Sequence, residues 1–258
     1  MAKIHPSAVV SPQAELADDV VVGPLAVIDD EVRLGPEVEI GPHAYVTGRT
    51  TIGARTRVFP NAVLGVAPQM LGFDGKTTEL LIGQDNLIRE HASIHVGTSA
   101  GGGSTRIGDG NMIMNHVHVA HDCQIGSHCV LAGYTGMGGH VVIEDFVVLG
   151  GFTGVHQFVR VGESAFTGGN TMVAKDVAPF SKVAGDRARF VGVNRINLER
   201  RGFERARIDV IKHAFFILFQ SKLRFVEGCK RVEEECAGSE DVRQLLEFLR
   251  STQRGFVR

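Results

Sequence analysis

A large aliphatic residue recurs every six positions over most of this chain. From Ile4 the series runs through Val10, Leu16, Val22, Ile28, Leu34, Ile40, Val46, Ile52, Val58 and Leu64. It resumes at Ile82, Ile88 and Ile94, and again from Ile107 through Ile113, Val119, Ile125, Leu131, Met137, Ile143, Leu149, Val155 and Val161. Thr167 weakens the series and Val173 closes it. The residue four places after each early member is small or β-branched, as at Ala8, Ala14, Val20, Ala26 and Val32. Such a period fits neither an α-helix nor strands joined by hairpins. It fits a parallel β-helix, in which each hexapeptide is one flat side and three sides make a turn of about 18 residues. The aliphatic points into a triangular interior, and the small residue lets the chain bend at the corner.

The composition agrees with a thin, repetitive core. Glycine is abundant (32 residues), tryptophan is absent and aromatics make up only 7%. The handedness does not follow from the pattern, because right-handed crossovers are the general rule. Proteins with hexapeptide signatures resemble the left-handed exception, and a left-handed parallel β-helix, mainly β, is therefore expected over residues 1–177. Two interruptions, about 65–81 and 99–105, must loop out of the coil, where long loops often carry binding residues. After Asp176 the period is lost, and helices are expected over Arg205–Leu223, Val226–Ala237 and Glu240–Thr252. A C-terminal α-helical domain over 178–258 would then cap the solenoid, whose ends need cover.

A net charge of −2 gives no global attraction to nucleic acid. No apolar run approaches the ~18 residues of a membrane span, and the N-terminus has no signal-peptide core, so a cytoplasmic protein without stable membrane insertion is expected. Cys123, Cys129, Cys229 and Cys236 form no C-x-x-C pair and read as small buried thiols. Between 181 and 213 basic residues outnumber acidic ones, which suits an acidic protein partner or a phosphate group.

Histidines gather in the later coils. His121, His140 and His156 lie about one turn apart and are expected near one edge, stacked at roughly 5 Å, the spacing of neighbouring strands. Asp122 follows His121 and could hold its imidazole in one tautomer while the ring takes a proton. No serine or cysteine is placed as a nucleophile, so direct attack by a substrate hydroxyl is the simpler chemistry. The Gly138-Gly139 pair could bring a backbone N–H close to a developing oxyanion. The run His116-x-His118-x-x-His121 holds enough nitrogen donors for zinc, so a zinc hydratase on the same scaffold stands as the alternative.

Several stretches are narrower than the repeat. They are Asn86-Leu-Ile-Arg-Glu90, Ser93-Ile-His95 with Gly97-Thr98, Asn111-Met-Ile-Met114, His118-Val-Ala-His-Asp-Cys123, Gly139-His140, Val155-His-Gln-Phe158, Gly192-Val-Asn194 and Arg200-Arg-Gly-Phe203. Together they resemble the bacterial acyl-acyl-carrier-protein–UDP-N-acetylglucosamine O-acyltransferases, over nearly the full length. The resemblance implies transfer of a 3-hydroxyacyl chain from acyl carrier protein to the 3-position of UDP-N-acetylglucosamine, the first step of lipid A biosynthesis. It implies a homotrimer with sites between neighbouring subunits, and no metal or organic cofactor. It makes His121 the general base, Asp122 its partner and Gly139 the oxyanion donor. His118, His140, His156 and Gln157 become substrate-positioning residues. Gln69 matches the first inserted loop, Asn194 and Arg200 match contacts to the nucleotide, and Gly169 falls where acyl length is measured, leaving room for a longer chain. The chain departs from the family pattern at Met70, Gly72, Val96, Arg187 and Ile196. Those positions lie in the substrate or partner region, so another acceptor, such as the 3-amino analogue of the sugar nucleotide, stays open.

Overall fold

The computed structural model describes every residue except 76 and 77. The hexapeptides form the coils of a parallel β-helix with three faces. The first face starts at Lys3–Ile4, the second at Val9–Val10 and the third at Glu15–Leu16, and each strand pairs in parallel with the strand one turn away. Undisturbed turns pair residues 18 apart, as in Val119↔Met137 and Met137↔Val155. The inward aliphatics form a column through the coil: Ile28, Val46, Leu64, Ile94, Val119, Met137, Val155 and Val173 are all buried on the second face. Each such side chain contributes about 2 kcal/mol relative to exposure.

The corners are as regular as the strands. At most corners one residue takes the left-handed conformation, and most of these are not glycine: Asp122, His140 and Phe158 have φ of 61°, 61° and 64°. Such a backbone costs about 1 kcal/mol or more per residue. Stacking along the corners offsets part of this. At the corner between the first and second faces, His91, His116, Tyr134 and Phe152 form a ladder with centroid spacings of 4.7, 4.7 and 4.9 Å.

The inserted segments are shorter than expected. Strands Val63–Val66, Glu79–Ile82 and Ser104–Ile107 extend into both interruptions, and Ser99–Gly101 is a 3₁₀ turn. The extension follows from ladder bonds such as Glu79 N–H to the Gly103 carbonyl, with Leu80 buried in the core. A six-residue pattern cannot register these extra pairs. Residues 76 and 77, inside the first expected loop, lie outside the described residues. Both insertions leave the coil at the corner between the second and third faces.

The ladder also continues past the last hexapeptide. Ser181–Ala184 pairs in parallel with Phe166–Thr167 and turns back antiparallel as Arg189–Val193. Four helices follow: α1 (Arg195–Arg200), α2 (Arg205–Phe215), α3 (Phe225–Glu235) and α4 (Glu240–Arg250). Helix α1 is too short for apolar periodicity to reveal. Helix α2 stops earlier than expected, because Phe216–Gln220 winds on as a π-helical turn. The helices share a second core of Phe180, Leu198, Ile211, Phe215, Val232 and Leu245. The chain then returns to the coil, where Val257 donates to the Asp176 carbonyl and buries its side chain against the solenoid core. Among the described residues no helix is long and apolar enough to cross a membrane.

Candidate active site

The corner between the second and third faces carries the chemistry. Asp122 occupies its left-handed position, and its side chain is wholly buried beneath the second inserted segment, against Thr98 and Gly101. Its carboxylate accepts from His121 Nδ1 at 2.8 Å and from Thr98 Oγ1 at 2.6 Å through Oδ2, and from the Thr98 N–H at 2.8 Å through Oδ1. A carboxylate only accepts, so the His121 proton sits on Nδ1 and Nε2 is left bare. The His121 side chain keeps 17% exposure, enough to reach a reactant. One turn below, Gly139 lies directly under this ring: a Cβ there would stand 2.5 Å from His121 Cε1 and 2.7 Å from Nε2. Only glycine lets backbone and base approach this closely. Among the described residues no carbonyl accepts from the Gly139 N–H.

His140 takes the next left-handed corner position. Its ring meets His121 edge-to-face at 5.1 Å and stacks on Phe158 at 4.5 Å. Its Nε2 is 3.8 Å from Asp122 Oδ2, too long for a hydrogen bond. Burial holds the His140 imidazole below its ordinary range, although the Asp122 carboxylate pulls the other way. His121, Asp122 and His140 thus bring one ligand atom each within 4.8 Å. The His116-x-His118-x-x-His121 run does not converge, since His116 is stacked in the aromatic ladder of another corner.

His118 points outward from the second face, its Nδ1 2.9 Å from Ser93 Oγ, and burial holds it below the usual imidazole range. Beside it lies His95, which belongs to the Ser93-Ile-His95 stretch but was not expected in the site. His95 is almost fully buried, its Nδ1 donates to the Ala67 carbonyl at 2.8 Å, and its Nε2 is buried without a partner among the described residues. Its ring meets His118 edge-to-face at 5.1 Å, and burial lowers its proton affinity. The second inserted loop breaks the 18-residue register here, so His95 and His118 cannot be paired from the repeat alone. Below His118, Gly136 occupies the same outward column with open space where a Cβ would stand, while at Gly154 one turn further the Met172 side chain covers that place.

The expected three-ring stack holds for two rings only. His156 is shifted off the corner, level with Gly138, and the place below His140 belongs to Phe158. The 16-residue step from His140 to His156 is short of a full turn. His156 is exposed, with Nδ1 3.0 Å from the Gln157 carbonyl and 3.2 Å from an Arg254 guanidinium nitrogen. Gln157 is exposed beneath Gly138, and Gln69 is exposed on the first inserted loop. Gly169 is exposed at the corner between the first and second faces, and a Cβ there would meet only the Gly151 carbonyl, at 3.5 Å.

Asn194 and Arg200 sit elsewhere. Asn194 is buried before α1, donating to the Ser164 carbonyl at 2.8 Å, at the corner between the third and first faces. Arg200 is exposed on α1, while its neighbour Arg201 is locked against Glu163, Ser164 and the Phe146 ring, 3.8 Å from its centroid. Of the departures, Met70 and Ile196 are exposed and Val96 is buried.

A hexapeptide coil with a buried Asp–His pair at one corner is the architecture of a hexapeptide-repeat transferase, and residues 104–139 match the model of the bacterial transferase hexapeptide (six repeats). Residues 176–257 match the model of UDP N-acetylglucosamine O-acyltransferase, domain 2. Among curated relatives, an acyl-[acyl-carrier-protein]–UDP-N-acetylglucosamine O-acyltransferase of Myxococcus xanthus is 45% identical over 258 residues, all of both chains. One of Halorhodospira halophila is 44% identical over the same full length. Among solved structures, the UDP-N-acetylglucosamine acyltransferase from Campylobacter jejuni superposes with a TM-score of 0.93 at 38% identity, over 99% of this chain and 100% of that one. That of Francisella novicida gives 0.95 at 34% identity, over 99% and 94%. The chain belongs to the acyl-[acyl-carrier-protein]–UDP-N-acetylglucosamine O-acyltransferase family, and its coil is the left-handed β-helix expected from the likeness to hexapeptide proteins.

Proposed function

We propose that this protein carries out the reaction for which its family is named, with His121 as the general base. It transfers a 3-hydroxyacyl chain from acyl carrier protein to the 3-position of UDP-N-acetylglucosamine, the first step of lipid A biosynthesis. The observation that carries the catalytic reading is the bare His121 Nε2, held by a buried Asp122 and open beside Gly139. The acceptor hydroxyl gives its proton to Nε2 as its oxygen attacks the thioester carbonyl. The charge on that carbonyl oxygen is met by the Gly139 N–H, and collapse of the adduct expels the pantetheine thiolate, which takes the proton from the His121 imidazolium and restores the base. Asp122 stabilises the imidazolium formed on the way.

His118 and His140, whose imidazoles burial holds below the ordinary range, position the sugar. His156 and Gln157 lie further down the same side, where the open place at Gly136 receives the pantetheine arm. Gly169 leaves room for a longer acyl chain. No metal or organic cofactor enters this scheme.

Asn194 and Arg200 lie at a different corner from His121, so one chain cannot present both to one nucleotide. A homotrimer, in which a neighbour brings its α1 to the His121 corner, supplies the complete site. The exposed Tyr134–Phe152 ladder is the kind of surface such packing covers. The basic run after 181 suits the acidic carrier protein, and the reaction places the protein in the cytoplasm. The exposed Met70 and Ile196, where the family has polar residues, favour testing the 3-amino sugar nucleotide as a second acceptor.

The test is a product assay by mass spectrometry with 3-hydroxyacyl carrier proteins of several lengths and either sugar nucleotide. An acylated UDP-sugar that disappears in His121→Ala is expected. Turnover near normal in that variant would remove His121 from the role.

A further inference from the structure

Thr98 stands at the mouth of the second inserted loop and touches the dyad from behind. It spends both of its donors on one carboxylate, its N–H on Asp122 Oδ1 and its Oγ1–H on Oδ2. The same Oγ1 accepts from the Gly101 N–H at 3.0 Å, which caps the 3₁₀ turn Ser99–Gly101. With one lone pair so engaged and a carboxylate as its only other partner, the hydroxyl proton must point at Asp122. The loop is fitted to this contact: a Cβ on Gly101 would fall inside the Asp122 carboxylate. From the other side the Asp122 N–H donates to Thr105 Oγ1 at 2.8 Å, so backbone and side chain of Asp122 are both held. Asp122 Oδ2 therefore divides its acceptor capacity between His121 Nδ1 and Thr98 Oγ1, in a pocket closed to water.

We infer that Thr98 is a positioning residue for the transfer reaction, setting the rotation of the Asp122 carboxylate and the share of its charge that reaches His121. This rests on the reading of His121 as the base. Two consequences follow. Without the hydroxyl, the carboxylate is pinned at Oδ1 alone and the imidazole loses its fixed orientation. The charge on Oδ2 is also no longer shared, so it bears on His121 alone and favours the imidazolium. The charged or titratable groups facing the dyad are His140 from the coil below, His95 from the coil above and the Cys123 thiol next in sequence; Asp74 reaches the loop through Ser99. None of them contacts Thr98 Oγ1, so its removal leaves their own contacts in place.

The experiment compares Thr98→Val, which keeps shape and N–H but removes the hydroxyl, with Thr98→Ser, which keeps the hydroxyl. Steady-state kinetics with 3-hydroxyacyl carrier protein and UDP-N-acetylglucosamine are measured across pH. Thr98→Val should lower kcat by about 10- to 100-fold, the worth of a buried hydrogen bond to a charged group. KM for both substrates should stay within about twofold, and the acid limb of kcat/KM should move to higher pH. Thr98→Ser should recover kcat to within about threefold and return the limb. Should Thr98→Val not fold, Thr98→Ala is judged on the same three quantities.

Wild-type kcat and pH profile in the hydroxyl-less variant, with His121→Ala inactive, would overturn this inference and leave the base assignment intact. Equal losses in Val and Ser variants, or a rise in KM with no movement of the limb, would reduce Thr98 to a loop-folding residue and also overturn it. Activity in His121→Ala would instead remove the base assignment itself.

Discussion

Gly139→Ala is the sharpest test of the site, because it adds one methyl group at a known distance from the base. Gly139 does not have a positive φ, so alanine brings no backbone strain and the effect is steric. The new Cβ would lie 2.5 Å from His121 Cε1, 2.7 Å from Nε2 and 3.0 Å from Nδ1. Ordinary carbon contacts are about 3.5–4.0 Å, so the ring must move by roughly 1 Å. It cannot move freely, since Nδ1 is held by a carboxylate that is itself held by Thr98. A displacement of about 1 Å at a reacting group costs on the order of 100-fold in rate. Overpacking of this kind costs about 2 kcal/mol of stability, roughly a 5 °C fall in the melting midpoint for a chain of this size. Mass-spectrometric turnover and a thermal melt on the same sample separate the two effects. The expected result is kcat down about 100-fold, with KM for the carrier protein little changed and the protein folded at assay temperature. Full kcat in Gly139→Ala would refute the placement of the base against this glycine, and with it the oxyanion role of its N–H.

Three further outcomes are expected. Burial keeps the folded-state proton affinities of His95 and His118 below the ordinary 6.5, so the unfolded chain takes up protons first on acidification. Their contribution is therefore neutral above that value and destabilising as pH falls through it; urea midpoints at pH 8, 6 and 5 should decline, and less steeply in His118→Gln, while parallel declines would contradict the assignment. The Cys123 and Cys129 thiols are buried and pushed up to about 12, so both should resist a thiol reagent at pH 8 until the coil unfolds; rapid labelling of either in the native protein would show a looser coil. Arg201→Ala removes the cation that ties Glu163, Ser164 and the Phe146 ring to the helical segment, and should cost about 2 kcal/mol in chemical denaturation; a change within error would mean that solvent screens that junction.

The coil was legible in the sequence because its rule is local. Each hexapeptide meets the same requirement, an aliphatic inward and a small residue at the bend, so Ile4 through Val161 announces the fold without reference to any distant residue. The His121–Asp122 pair was legible for the same reason, being adjacent in the chain. Where the repeat breaks, the local rule fails. The strands at Glu79–Ile82 and Ser104–Ile107 exist only because neighbouring turns offer them ladder partners. The hairpin Ser181–Val193 and helix α1 are held by the floor and corner of the coil, through contacts such as Asn194 to Ser164. His156 was misplaced because a 16-residue step looks like a turn but lands off the corner. Thr98 and His95 were hidden because the inserted loops disturb the 18-residue spacing that otherwise maps sequence onto height. The sequence by itself determined the coil and its acid–base pair, through requirements repeated at every turn. Only the tertiary structure decided which loop closes on Asp122 and that the helical segment docks at another corner, because those are contacts between segments whose spacing no repeat governs.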